Sequence, residues 1–202
     1  MTARPLRADA RRNRQRLLEV AVRVLSQDGP DVPLEAVARE AGVGIGTLYR
    51  HFPTREALVD AAYQGELDRL CDCVDDLLAT LAPAAALRAW MDRFFDYLAT
   101  KRGMGPALRA LVASGGNPFE RSRQRLTTAL ATLLRAGGAA AELRVDVDPD
   151  DVLVALSGIC LAAADRQDRD QAARLLDLFL AALRPAAAGE PRYGRRSQGT
   201  IG

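Results

Sequence analysis

The apolar residues of this chain recur three and four positions apart almost from end to end, and proline and glycine break the pattern at short intervals. Such spacing lines one face of a helix, whereas a half-buried strand would alternate. Leu17, Val20, Ala21, Val24 and Leu25 make the first stripe, in a helix expected from about Asp9 to Gln27 and stopped by Asp28-Gly29-Pro30. A short helix is expected over about Leu34 to Ala41, with Pro33 near its first turn and Gly42 as a left-handed stop. A third covers about Ile45 to His51 and ends before Pro53. Thr54 caps a long fourth helix to about Leu81, and Pro83 opens a fifth to about Thr100. A short helix to about Ala113, one from about Pro118 to Ala136 that ends at Gly137-Gly138, one opened by Asp148-Pro149 and one opened by a capping box at Asp168 complete the series. About nine helices with short connections and no strand pattern predict an all-α fold. The expected organisation is an N-terminal arm and three-helix unit over residues 1–54, a helical domain over 55–184, and a disordered tail over 185–202.

Composition narrows the function classes. No run of about 18 apolar residues is present, and the first residues are polar, so neither a membrane span nor a secretory leader is read here and a cytoplasmic location is expected. The three cysteines, Cys71, Cys73 and Cys160, are too few and too oddly spaced for a disulfide framework and are read as packing residues. His51 is the single histidine, so zinc spacing is absent and Ser-His-Asp chemistry has nowhere to form. Phosphate-binding loops and nucleophile-elbow motifs are also missing. No enzyme, metal or cofactor is expected. The net charge of +2 decides little, but its distribution is uneven. Arg4, Arg7, Arg11, Arg12, Arg14 and Arg16 crowd the N-terminus against one acid, Asp9. That arm suits a polyanion, and a solvated, disordered leader fits it equally.

The segment from Leu34 to Phe52 carries the function. Two short helices joined by a tight turn at Gly42-Val43-Gly44, with Leu48 and Phe52 directed inward, have helix-turn-helix spacing. The second helix then turns Gly44, Ile45, Gly46, Thr47, Tyr49, Arg50 and His51 outward, toward a DNA major groove. Arg50 has the fork that pairs guanine O6 and N7, and Ile45 suits a thymine methyl. Gly44 and Gly46 allow close backbone approach. Thr47, Tyr49 and His51 are donors suited to phosphate, and Arg55 lies at a helix start that favours the same group. Tyr49 also fits a half-buried packing role, and His51 also fits a helix cap.

The stretch Gly42-Val43-Gly44-Ile45-Gly46-Thr47-Leu48-Tyr49-Arg50-His51-Phe52-Pro53-Thr54-Arg55-Glu56-Ala57-Leu58 resembles the DNA-binding domain of the TetR family of bacterial repressors, and the resemblance extends from about Leu17 to Val59. It implies an all-α homodimer that binds a double-stranded DNA operator, with a larger C-terminal domain that takes a small ligand and dimerises through its last two helices. It also implies phosphate contacts at Thr47, Tyr49, His51 and Arg55 and base contacts at Ile45, Gly46 and Arg50. Gly44 departs from the serine often found there, which removes a hydroxyl. Pro33 stands where a Thr or Ser cap is common.

The C-terminal part has no comparable signature. In the fifth helix Leu87, Trp90, Met91, Phe94, Phe95 and Leu98 form a wide apolar face, which fits a core as well as a cavity wall. With Phe119 and Cys160 they form the expected lining of a pocket for a small, apolar, uncharged effector. In the penultimate helix Ser157 and Gly158 sit among alanines, and the last helix offers Leu175, Phe179 and Leu183. These are the expected homodimer contacts, although both faces also fit the protomer's own core. A helical protein-interaction adaptor without ligand sensing is the competing reading. It leaves the outward Arg50 and the basic arm without a role.

Overall fold

A computed structural model describes residues 3–29, 31–165 and 169–185. Within them the chain forms α1 (Ala3–Gln27), α2 (Leu34–Glu40), α3 (Ile45–His51), α4 (Arg55–Thr80), α5 (Pro83–Gly103), α6 (Gly105–Ala113), α7 (Ser122–Ala139), α8 (Pro149–Asp165) and α9 (Arg169–Ala182). No strand occurs among the described residues. The expected all-α architecture of three N-terminal helices followed by a helical domain is the one observed. Residues 186–202, assigned to a disordered tail, and the Asp168 cap lie outside the described residues.

Local chemistry explains most helix ends. Gly42 holds φ of 69° after α2. The Val43 amide returns to the Ala38 carbonyl at 3.0 Å and the Gly42 amide to Arg39 at 3.1 Å, the paired bonds of a Schellman motif. At the start of α4 the Thr54 hydroxyl accepts the Ala57 amide at 3.1 Å. Asp148 accepts the Asp150 amide at 2.7 Å, so Pro149 occupies the first helical position where its missing N–H costs nothing. Glu142, from the loop after α7, accepts the Ala84 amide at 2.8 Å and so satisfies an end of α5.

Two expectations are corrected. The helix expected from about Asp9 begins at Ala3, so the basic leader is the first part of α1 and not an irregular arm. Pro5 is tolerated because it falls in the first turn. Gly137 and Gly138 do not end α7, which runs through them to Ala139. Their role is steric: a Cβ on Gly137 would stand 2.3 Å from Leu143 Cδ1, and one on Gly138 2.7 Å from Val145 Cγ1. Ala141, at φ of 55°, takes the left-handed position that turns the chain instead.

One buried cluster runs from Leu17 in α1 through Leu48, Leu58, Leu67, Trp90 and Leu130 to Leu183 after α9. The helix-turn-helix unit is therefore packed continuously on the rest. Helix α4 is the link, since it packs on α1, α5, α6 and α7. Ion pairs fasten the outer helices, with Arg88 of α5 to Asp177 of α9 at 2.6 Å and Arg169 of α9 to Asp96 of α5 at 2.8 Å.

Candidate functional site

Helix α3 is short because its ends are chemically marked. Gly44 begins it in an extended conformation, and Phe52 ends it with Pro53 following. Leu48 and Phe52 are buried and seat the helix on α1 and α2. That seating determines which side chains face out. Gly44, Gly46, Tyr49 and Arg50 are exposed, while Ile45, Thr47 and His51 are half-buried along the edges. Tyr49 is 45% exposed, which favours an outward role over the packing alternative. A Cβ built on Gly44 or Gly46 meets nothing within 4 Å, so the protein itself does not require glycine there. Their small size is left for whatever approaches α3 from outside.

The flanks of α3 are tied down. Arg23 of α1 pairs with Glu40 of α2 at 2.7 Å. The Arg55 guanidinium donates to the Val32 carbonyl at 2.5 Å, bracing the start of α4 against the loop before α2. Arg55 thus has a structural duty beside the phosphate contact read from sequence. The His51 and Phe52 rings lie 6.2 Å apart, centroid to centroid. Helix α1 carries Arg4 and Arg7, but their side chains lie outside the described residues.

The expected pocket residues separate into two groups. Trp90, Met91, Phe94 and Cys160 are buried. Trp90 stacks on Phe94 with centroids 5.4 Å apart, and its indole N–H donates to the Leu70 carbonyl at 3.0 Å. Phe95 and Leu98 are half-buried, with the Arg169 guanidinium 5.9 Å over the Phe95 ring. Phe119 lies at the surface under the Lys101 ammonium, 4.7 Å from its ring centre. Of the expected lining, Trp90, Met91, Phe94 and Cys160 thus sit in the core and Phe119 at the surface. An open groove of about 410 Å³ lies elsewhere, between α4 and α7, lined by Cys71, Asp72, Asp75, Gln124, Arg125 and Thr128 among others.

A buried polar cluster was missed from sequence. Tyr63 of α4 meets the Tyr97 hydroxyl of α5 at 2.8 Å and the Ser122 hydroxyl of α7 at 2.9 Å, and Ser122 donates to the Pro118 carbonyl at 3.3 Å. These three hydroxyls bring polar groups into an interior that the sequence reading treated as an apolar pocket lining. The signal was available, because Tyr63 stands four residues from both Val59 and Leu67 on the same stripe. Burial pushes the Tyr97 phenol well above the usual range, with the Tyr63 hydroxyl adding to the shift. Burial also raises the Cys71 thiol to about 11 and the Cys160 thiol to about 12, which suits packing residues and not reactive thiolates.

Helices α8 and α9 expose apolar residues. Val154 and Leu161 are exposed on the α8 face that holds Gly158, which has open space over its Cα, and Leu178 of α9 is 68% exposed. Of the expected dimer contacts, Ser157, Leu175 and Phe179 are half-buried on these two helices. Leu183 is 4% exposed and points into the protomer's own core, so it is not available to a partner. Leu178, three positions from Leu175, takes its place on the surface.

Comparison with known proteins agrees with this architecture. Residues 17–62 match the bacterial regulatory proteins of the tetR family, and residues 82–185 match the C-terminal domain of SbtR-like transcriptional regulators. A TetR transcriptional regulator from Streptomyces coelicolor, known from its crystal structure, is 56% identical with a TM-score of 0.82, over 86% of this chain and 99% of that one. The crystal structure of a TetR regulatory protein from Mycobacterium vanbaalenii is 34% identical with a TM-score of 0.74, over 90% of this chain and all of that one (100%). An HTH-type transcriptional regulator from Staphylococcus aureus is 39% identical over 64 residues, which make up 31% of this chain and 35% of that protein. With both halves matched and the helix-turn-helix exposed as that lineage requires, the chain belongs to the TetR family of DNA-binding transcriptional regulators.

Proposed function

We propose that the protein is a ligand-responsive repressor that binds a near-palindromic operator as a homodimer and leaves it when a small, largely apolar effector enters the C-terminal domain. The outward face of α3 carries this reading. Arg50 and Tyr49 are exposed on a helix whose other side is locked by Leu48 and Phe52. Arg50 reads a guanine edge, Ile45 and Gly46 lie against neighbouring bases, and Gly44 lets the backbone approach. Thr47, Tyr49, His51 and Arg55 hold phosphates. The exposed Val154 and Leu161 beside Gly158 on α8 and the exposed Leu178 on α9 support an isologous pairing of α8 and α9 with their copies. Two α3 helices one DNA turn apart, about 34–36 Å, then meet an inverted repeat.

The effector acts on the interior around Trp90, Phe94 and Tyr97. Because these side chains are sealed, binding requires α5 and α7 to part, and α4 carries that movement to Arg55. The hydroxyls of Tyr63, Tyr97 and Ser122 offer a hydrogen-bonding end to an otherwise apolar ligand. A ligand changes DNA occupancy only through its different affinities for the two conformations, and the usual coupling of about 1–3 kcal/mol lowers operator affinity about 5- to 150-fold. Light scattering on wild type and Leu178→Glu tests the dimer. The wild type is expected as a dimer and the variant as a monomer, while a monomeric wild type at micromolar concentration overturns it. Compounds that release DNA should alter Trp90 emission over the same concentrations. Release with unchanged emission would put the effector site elsewhere.

A further inference from the structure

The helical start of α1 has a consequence for how DNA is held. Positions 4, 7, 11, 14, 18, 21 and 25 follow one another at alternating three- and four-residue steps, so they share one face of α1. Leu18, Ala21 and Leu25 on that face are buried in the core. The four positions before them are Arg4, Arg7, Arg11 and Arg14. The face that α1 turns into the protein thus continues beyond it as a line of arginine positions, about 15 Å long at about 1.5 Å per residue. Where the row meets the core, the Arg14 guanidinium lies 5.3 Å over the ring of Phe52, the residue that ends α3. Arg14 is held there by a cation–π contact, at the C-terminal end of the recognition helix. Arg11 and Arg14 are exposed, and neither has an ion pair among the described residues. Arg12, on a different side of the helix, is paired with Asp9.

We infer that α1 is a second DNA-contact element, in which Arg14 and Arg11 track the sugar-phosphate backbone outside the bases read by α3. A row of like charges on one helical face, continuing an apolar stripe and ending beside the recognition helix, has a polyanion as its matching surface. The row adds sequence-independent affinity and lengthens each half-site footprint. It differs from a flexible basic arm, in which every arginine would count alike.

The inference rests on α3 being the DNA interface, but its test does not need an operator. Binding of the full chain to a labelled random-sequence duplex is measured against salt concentration. Each phosphate contact contributes about 0.9 to the slope of log affinity against log salt. Arg11→Gln with Arg14→Gln should lower the slope by about 1.8 per protomer, Arg14→Lys should leave it unaltered, and Arg12→Gln should change it little. Equal losses from Arg12→Gln and Arg14→Gln would mean an unstructured basic segment and overturn the row. An unchanged slope in the Arg11/Arg14 variant, together with a lowered melting temperature, would mean that Arg14 only covers Phe52, and would overturn it as well. Absence of base preference in the same protein would count against the α3 reading alone.

Discussion

In α3 the chemically distinctive side chains point away from the protein, whereas in α5 they are sealed inside it. Arg50 and Tyr49 are exposed on a helix of seven residues held by Leu48 and Phe52. Trp90, Met91 and Phe94 are buried on a helix three times as long, at 21 residues. A short helix with two anchors has most of its surface left to offer, so its function is written in side-chain identity. A long helix in the middle of a bundle spends its apolar face on packing, so substitutions there act first on stability. Substitutions in the two regions should therefore fail in different ways.

The largest expected effect is on the interior. Phe94→Ala removes a ring stacked on Trp90 in a site with no exposure to relax into, and should cost about 3–5 kcal/mol in urea unfolding. A cost under about 1 kcal/mol would mean that the region is a preformed cavity and not a packed core, and would dissolve the contrast. Next, Arg50→Ala should cost about 1–3 kcal/mol at the cognate operator and relax preference at one base pair per half-site, with unfolding unchanged within about 0.5 kcal/mol. Loss of stability without loss of base preference would assign Arg50 to packing.

An intermediate case sharpens the comparison. Tyr63 belongs to α4, which reaches from the DNA-binding end into the core. Tyr63→Phe keeps the ring but leaves the Tyr97 and Ser122 hydroxyls without their shared partner, and should cost about 1–3 kcal/mol by thermal or urea denaturation. Thr54→Ala should cost about 1 kcal/mol through the lost cap of α4. The smallest effect concerns the thiols. With Cys71 raised to about 11 and Cys160 to about 12, alkylation of the native protein at neutral pH should be much slower than that of the unfolded chain. Fast native labelling at Cys160 would mean that the core opens readily around α8. As pH climbs above about 9, the unfolded thiols ionise before the folded ones, so this contribution to stability is present below that range and is lost through it.

The difference between the regions also explains what could be read in advance. The helix-turn-helix was legible because Gly42, Leu48, Phe52 and Pro53 each have one physical use at that spacing, and together they leave one outward face. The helix order followed from Pro83, Asp148-Pro149 and the apolar periodicity in the same way. The two corrections to helix bounds came from residues with two uses. Gly137 and Gly138 read as a stop, yet their missing side chains make room for Leu143 and Val145. The arginine-rich leader read as an arm, because charge composition alone does not distinguish a helix from an unstructured chain. Leu178 lies on α9 and Leu183 just after it, and only packing decides that Leu183 faces the core and Leu178 the solvent. The interior hydroxyls were missed because tyrosine counts as apolar in periodicity while its oxygen needs a partner.

Selection of operator sequences from a random duplex pool by the purified protein tests the central claim most directly. The account predicts an enriched inverted repeat, its half-site centres about one turn of DNA apart, with a guanine at one position that loses preference in Arg50→Ala. A pool with no enrichment, or one whose enriched sites are unaffected by Arg50→Ala, would contradict the reading of α3 as the surface that recognises DNA.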